Sequence, residues 1–222
     1  MFIKSNLNQN IMKQVKTLQP KADEGLLLLI GEKAQNFDLP TLIDDLNLTG
    51  VNFFGGIFPA VLYGSKISRC GAVIVKLPHI IKPVLIKGLE NDTIDLSALN
   101  CLMECGQKIC TALVLVDGLA ANINGFLSGL YSKMADAVNY IGGGAGSLCL
   151  EQKPCLFTNE GLFKNAAIVT LLRIRSKLGI YHGWNRLAGP FVANKTRQNV
   201  IYELNWRNAL EVYKEIVEAD SG

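Results

Sequence analysis

Two stretches of this chain repeat in register, and that repeat limits the folds available to it. Asn52-Phe53-Phe54-Gly55-Gly56 returns 87 residues on as Asn139-Tyr140-Ile141-Gly142-Gly143. The same shift lays the apolar run Leu26–Gly31 on Leu113–Gly118. Ala72-Val73-Ile74-Val75 then matches Ala166-Ala167-Ile168-Val169 after a small insertion in the second copy. The apolar runs are too short for helices, sit between glycines and read as strands buried on both faces. Between the matched runs lie helical patterns. Asp38 precedes Leu39–Leu46 as a cap, with Pro40 in the first turn. After Asn122 or Asn124, the residues Phe126, Leu127, Leu130, Met134 and Val138 form an apolar stripe.

Each copy therefore reads as strand, helix, strand, Gly-Gly turn, strand, strand. The opening β-α-β step makes parallel neighbours with a right-handed crossover. The later strands close as hairpins. The fold class expected is mixed α/β (α+β): duplicated units, about residues 25–90 and 112–172, forming mixed sheets flanked by helices about a pseudo-twofold axis. Gly55-Gly56 and Gly142-Gly143 are read as turns after their strands, either merely tight or open to a ligand. Neither opens a helix in a G-x-G-x-x-G context, so a dinucleotide site is not indicated.

Further strands are expected near Ala60–Ser65, Gly71–Leu77 and Lys82–Lys87. Pro154–Thr158 and Ala166–Leu172 are expected to pair across an Asn159-Glu160-Gly161 turn. At the start of the chain, Leu7, Ile11, Val15 and Leu18 define a helix with Ser5 as cap and Pro20 as its end. A helix after Asp95 or Ser97 would carry Leu99, Leu102, Met103 and Gly106. Near the other end, Phe191–Lys195 and Gln198–Leu204 read as strands, and Asn205 caps a final helix. Gly179–Pro190 reads as a boundary. The organisation expected is an N-terminal helix (1–19), a duplicated module (20–180), and residues 181–222 as the start of a second module cut short.

Composition narrows the function classes. The net charge is +3 and 18% of residues are charged. The basic residues of the last third lack the density and interleaved aromatics of a nucleic-acid footprint. No apolar run approaches the roughly 20 residues of a membrane span, and no signal-peptide pattern opens the chain. A cytoplasmic protein without membrane insertion is the expectation. The cysteines Cys70, Cys101, Cys105, Cys110, Cys149 and Cys155 lack the Cys-x-x-Cys knuckles of structural metal sites and are expected to be small buried hydrophobes. No nucleophile–base–orienter set or G-x-S-x-G motif points to catalysis.

The residues with most chemistry are Tyr181-His182-Gly183-Trp184, followed by Ala188-Gly189-Pro190. A histidine beside a tryptophan is commonly just a hydrogen-bonded loop residue. The order of Phe-Gly-Gly, Ile-Gly-Gly-Gly (141–144), His-Gly-Trp-x-x-x-x-Gly-Pro (182–190) and the ending Asn199–Leu204 plus Ala209–Tyr213 resembles the FIST sensory domain. The resemblance spans nearly the whole chain. It implies a ligand-sensing input module of bacterial signal transduction. Chains without an attached output domain resemble the haem-binding, nitric-oxide-sensing branch, which acts on a separate histidine kinase or diguanylate cyclase. On that reading His182 would ligate haem iron, with His79 as runner-up. Tyr181, Trp184, Tyr140, Gly142 and Gly143 would line the pocket, and Arg186 or Arg173 would meet a propionate. A different small ligand (an amino acid or peptide) and a non-catalytic interaction scaffold are the alternatives.

Overall fold

A computed structural model describes residues 1–34, 37–103, 111–179, 183–197 and 200–221. The chain divides into two compact units, Met1–Leu178 and Gly179–Gly222. In the first, the order is β1 (Phe2–Ile3), α1 (Leu7–Leu18), β2 (Gly25–Gly31), α2 (Leu39–Asn47), β3 (Asn52–Phe58), β4 (Val61–Tyr63), β5 (Lys66–Ser68) and β6 (Ala72–Leu77). Then come β7 (Val84–Lys87), a 3-10 turn at Ser97–Leu99 leading into α3 (Asn100–Met103), β8 (Thr111–Asp117), α4 (Ile123–Met134) and β9 (Asn139–Ala145). The unit closes with β10 (Leu156–Thr158), β11 (Gly161–Phe163) and β12 (Ala166–Leu172).

Two mixed sheets result among the described residues, ordered β1-β6-β2-β3-β10-β11 and β7-β12-β8-β9. The central strand of each is apolar throughout because successive side chains point to opposite faces and both faces are covered. Leu26, Leu28 and Ile30 pack against Leu7, Ile11 and Val15 of α1 and Leu42 and Leu46 of α2. Leu27 faces the other way and joins Leu113, Leu115 and Ile168 between the sheets. Ala112 and Val114 meet Phe126, Leu130 and Met134 of α4 on the far side. The unit is thus layered helices, sheet, sheet, helices. Each fully buried Leu or Phe in these layers contributes roughly 1.5–3 kcal/mol of transfer free energy.

The duplication is visible in the pairing. β2 lies parallel to β3 and antiparallel to β6, and β8 lies parallel to β9 and antiparallel to β12. Each copy opens earlier than its sequence match suggests. Ile3 of β1 pairs with Ala72, and Ile86 of β7 pairs with Ala167, so the strand near Lys82–Lys87 begins the second copy rather than ending the first. The helix caps at Asp38 and Asn122 are present: Thr41 N donates to Asp38 Oδ1 at 3.3 Å and Gly125 N to Asn122 Oδ1 at 3.0 Å. Ser5 does not cap α1. Its N-cap is Asn6, without a side-chain bond, and Ser5 O accepts from Asn10 Nδ2. The helix expected after Asp95 or Ser97 is that short 3-10 turn and α3, and Gly106 lies outside the described residues.

Two expectations fail for tertiary reasons. The Gly-Gly pairs are not turns, because β3 runs through Gly55-Gly56 to Phe58 and β9 through Gly142-Gly143-Gly144 to Ala145. A Cβ on Gly55 would lie 2.1 Å from Leu28 O, and one on Gly142 (φ +153°) 1.7 Å from Val114 O, so close approach of the neighbouring strand excludes a side chain. Nor do Pro154–Thr158 and Ala166–Leu172 pair. Asn159-Glu160 already turns β10 back onto β11, and β10 docks on β3, whereas β12 joins the other sheet between β7 and β8.

The second unit contains β13 (Ala193–Arg197), β14 (Val200–Leu204), β15 (Arg207–Asn208) and α5 (Ala209–Ser221). Antiparallel pairing runs β13-β14-β15. The cap of α5 is Asn208 rather than Asn205. Asn208 Oδ1 accepts from Leu210 N at 3.0 Å and Glu211 N at 3.3 Å, while Asn205 Oδ1 accepts from Val192 N at 2.8 Å. An Arg207–Glu215 ion pair ties the strand end to the helix.

Candidate functional site

In each copy a parallel strand pair ends on the same side, and open α/β sheets bind ligands beyond such carboxyl ends. β2 and β3 end at Gly31 and Phe58, and β8 and β9 end at Asp117 and Ala145. The two ends are stitched together: Gly146 N donates to Ile57 O at 2.8 Å, and Ile57 N to Cys155 O at 2.8 Å. Around this seam lies a cavity of about 430 Å³ whose lining comes from both copies, including Glu32, Lys33, Arg69, Asp117, Ser147, Cys149 and Glu151.

Glu32 leaves the first copy's central strand and reaches the second copy. Its Oε2 accepts from Ser147 Oγ at 2.5 Å and from Leu148 N at 3.2 Å, and its other oxygen forms an ion pair with Arg69. The Ser147 hydroxyl bond, then the Arg69 guanidinium, hold its carboxyl down to about 2. Asp117 is buried at the end of β8. Its Oδ1 accepts from Leu119 N at 3.1 Å, and Oδ2 from Gln152 Nε2 at 2.5 Å and Asn165 N at 2.7 Å. Two carboxylates thus hold the segment 146–155, one near each end, across the cavity.

The cysteines differ from expectation. Cys155 is buried, but Cys70, Cys101 and Cys149 are exposed, and Cys105 and Cys110 lie outside the described residues. The hydrogen bond between the Cys149 thiol and Ser147 Oγ (2.9 Å) lowers that thiol below the usual range. Burial, then the Asp117 charge, pushes the Cys155 thiol up to about 12.

A second cavity, of about 450 Å³, lies between β9 and α4. Here the structure brings together Tyr140, Gly142 and Gly143 with Leu127 and Tyr131. Tyr140 OH donates to Ala135 O at 2.8 Å, and its ring centroid is 6.1 Å from that of Tyr131. Burial raises the Tyr140 phenol, and Tyr131 is raised by its bond to Asp136.

The remaining sequence-derived residues scatter. Tyr181 and His182 lie outside the described residues. Trp184 and Arg186 belong to the second unit and are exposed, with Arg186 Nε donating to Ala188 O at 3.3 Å. His79 sits between β6 and β7 with its Nδ1 2.8 Å from Asp23 Oδ2, both side chains exposed, and it lines neither cavity. Arg173 is exposed and its backbone N donates to His79 O at 3.2 Å.

Among the described residues neither cavity offers an imidazole to a haem iron: the lining of the β9–α4 cavity also lacks a thiol, whereas the seam cavity mixes the thiols of Cys149 and Cys155 with both cations and carboxylates. No group of three or more His, Cys, Asp or Glu stands ready for a metal ion among the described residues. Sequence reasoning missed Glu32, Arg69, Asp117 and Ser147. One signal was available: an acid stands at the carboxyl end of each buried central strand, Glu32 after Gly31 and Asp117 before Gly118.

Fold and seam together define a duplicated mixed α/β sandwich with a polar ligand-sized cavity at its strand ends. The FIST N domain matches residues 78–207, more than half of the chain, and the chain belongs to that family, a small-ligand-sensing domain of signal transduction. No curated protein and no solved structure matches it. No helix among the described residues is long and apolar enough to cross a membrane.

Proposed function

We propose that this chain is a sensory input module whose ligand is a small zwitterion, an amino acid or short peptide, held in the seam cavity. The observation carrying this reading is the mixed-charge lining drawn from both copies. Arg69 and Lys33 offer cations to a carboxylate, Glu151 and Glu32 offer anions to an ammonium, and Ser147 adds a hydroxyl. Output passes to a separate protein, a sensor histidine kinase or a diguanylate cyclase.

The test is a panel of amino acids and dipeptides titrated into the full chain by calorimetry and thermal shift. A binder at 100 times its Kd stabilises by about 2.7 kcal/mol, and Arg69→Ala removes most of that shift. Absence of any binder at millimolar concentration, or binding unchanged in Arg69→Ala, refutes the reading. The haem-based nitric-oxide alternative predicts a saturable Soret band lost in His182→Ala. Such a band would displace the zwitterion reading.

A further inference from the structure

The β9–α4 cavity has a counterpart in the first copy, and there it is filled. β10 lies antiparallel on β3 with Phe157 opposite Gly55 and Leu156 opposite Gly56. The Phe157 ring occupies the space that Gly55 leaves, and it packs with the α1–α2 core. In the second copy Gly142 and Gly143 stand where Gly55 and Gly56 stand, yet among the described residues β9 is the outer strand of its sheet and both glycines are exposed.

The repeat also identifies the hairpin that should cover β9. β4, the Gly64-Ser65 turn and β5 match β10, the Asn159-Glu160 turn and β11 residue for residue. The same offset carries Ala72 onto Ala167, and the structure sets both strands one residue off the sequence match: Ala72 pairs with Ile30, which faces Ile57, and Ala167 pairs with Val116, which faces Gly144, 87 residues on from Ile57. By that correspondence Leu62 takes the place of Phe157 and would lie over Gly142. Instead β4–β5 forms a two-stranded sheet of its own, with Leu62 67% and Ile67 73% exposed.

The connections differ. Residues 146–155 lead from β9 into β10, whereas only Pro59-Ala60 separate β3 from β4, and the first hairpin stays beside its own sheet, with Val61 buried and the Tyr63 ring 6.1 Å from that of Phe2. An apolar hairpin without an acceptor and an acceptor edge without a hairpin therefore coexist on one molecule. Open apolar edges are a liability that pairing removes.

We propose that β9 docks the Val61–Ser68 hairpin of a second copy of this chain, with Leu62 entering the cavity between Gly142, Leu127 and Tyr131. Reciprocal exchange closes a dimer and covers both edges. This site is separate from the seam cavity, and its test does not depend on any ligand.

Sedimentation of the full chain tests it, with Leu62→Lys in the hairpin and Leu127→Lys in the groove. Both positions are exposed (Leu127 46%), so circular dichroism should be unchanged. The wild type is expected to self-associate, and each variant to weaken association by roughly tenfold or more. An equimolar mixture of the two variants should recover one-to-one complexes, because each retains the element that the other lacks. A wild type that stays monomeric, association that survives Leu62→Lys, or a mixture that fails to recover complexes overturns the proposal.

Discussion

Phe157 packs over Gly55, the one residue type that leaves room for it: a Cβ on Gly55 would sit 2.6 Å from Phe157 Cζ and 2.1 Å from Leu28 O. Neither the ring nor the strand backbone can retreat without opening the core. Gly55→Ala is therefore expected to cost about 3 kcal/mol, which appears as a fall in Tm of about 10 °C. Gly143→Ala is the contrast, since nothing lies within 4 Å of a Cβ there. Its effect should stay within roughly 0.5 kcal/mol.

Asp117 is 1% exposed and accepts three hydrogen bonds, from Leu119 N, Gln152 Nε2 and Asn165 N. Asp117→Ala strands buried donors and frees the segment 146–155. A loss of about 3 kcal/mol is expected in urea unfolding, with faster amide exchange at 146–155 than the wild type shows. Gln152→Ala removes two bonds, to Asp117 Oδ2 and Asn165 Oδ1, and should cost about 2 kcal/mol.

Glu32 carries a carboxyl held down to about 2 by Ser147 and Arg69. In the unfolded chain the group titrates near 4.3. A depressed folded value stabilises the native state fully above the unfolded value, and this contribution disappears as pH falls toward about 2. Melting curves of wild type and Glu32→Gln should therefore be separated at pH 7, converge below about pH 4 and coincide near pH 2. Curves equally separated at both ends would remove Glu32 ionisation from the explanation.

Cys149 is exposed with a lowered thiol, and Cys155 is buried with its thiol raised to about 12. Iodoacetamide at neutral pH should label Cys149 and leave Cys155 untouched, as peptide mass spectrometry would show. A ligand seated in the seam cavity should protect Cys149 as well, which gives a readout of occupancy independent of calorimetry.

Much of this fold is legible in the sequence. Leu26–Ile30 and Ala112–Val116 announce strands covered on both sides, and Asp38 and Asn122 mark their helix starts, because burial and capping act over neighbouring residues. The glycines resisted. Gly55-Gly56 in a strand and Gly-Gly in a turn have the same local signature, and only the position of Leu28 O or Phe157 separates them. β1 was invisible because two residues carry no period. The candidate site was the least legible. Glu32 and Ser147 are 115 positions apart, and nothing local to either announces the other.

The sequence by itself determined the duplication, the layered class of fold and the family, since each follows from apolar pattern and motif order along the chain. Only the tertiary structure decided where the cavities lie and which strand edge remains open. Those depend on which sheet each hairpin joins. β10 follows β9 in the chain yet pairs with β3, whereas β4 follows β3 and pairs with β5. Strand order is written in the chain, but its consequence exists only once both sheets are in place.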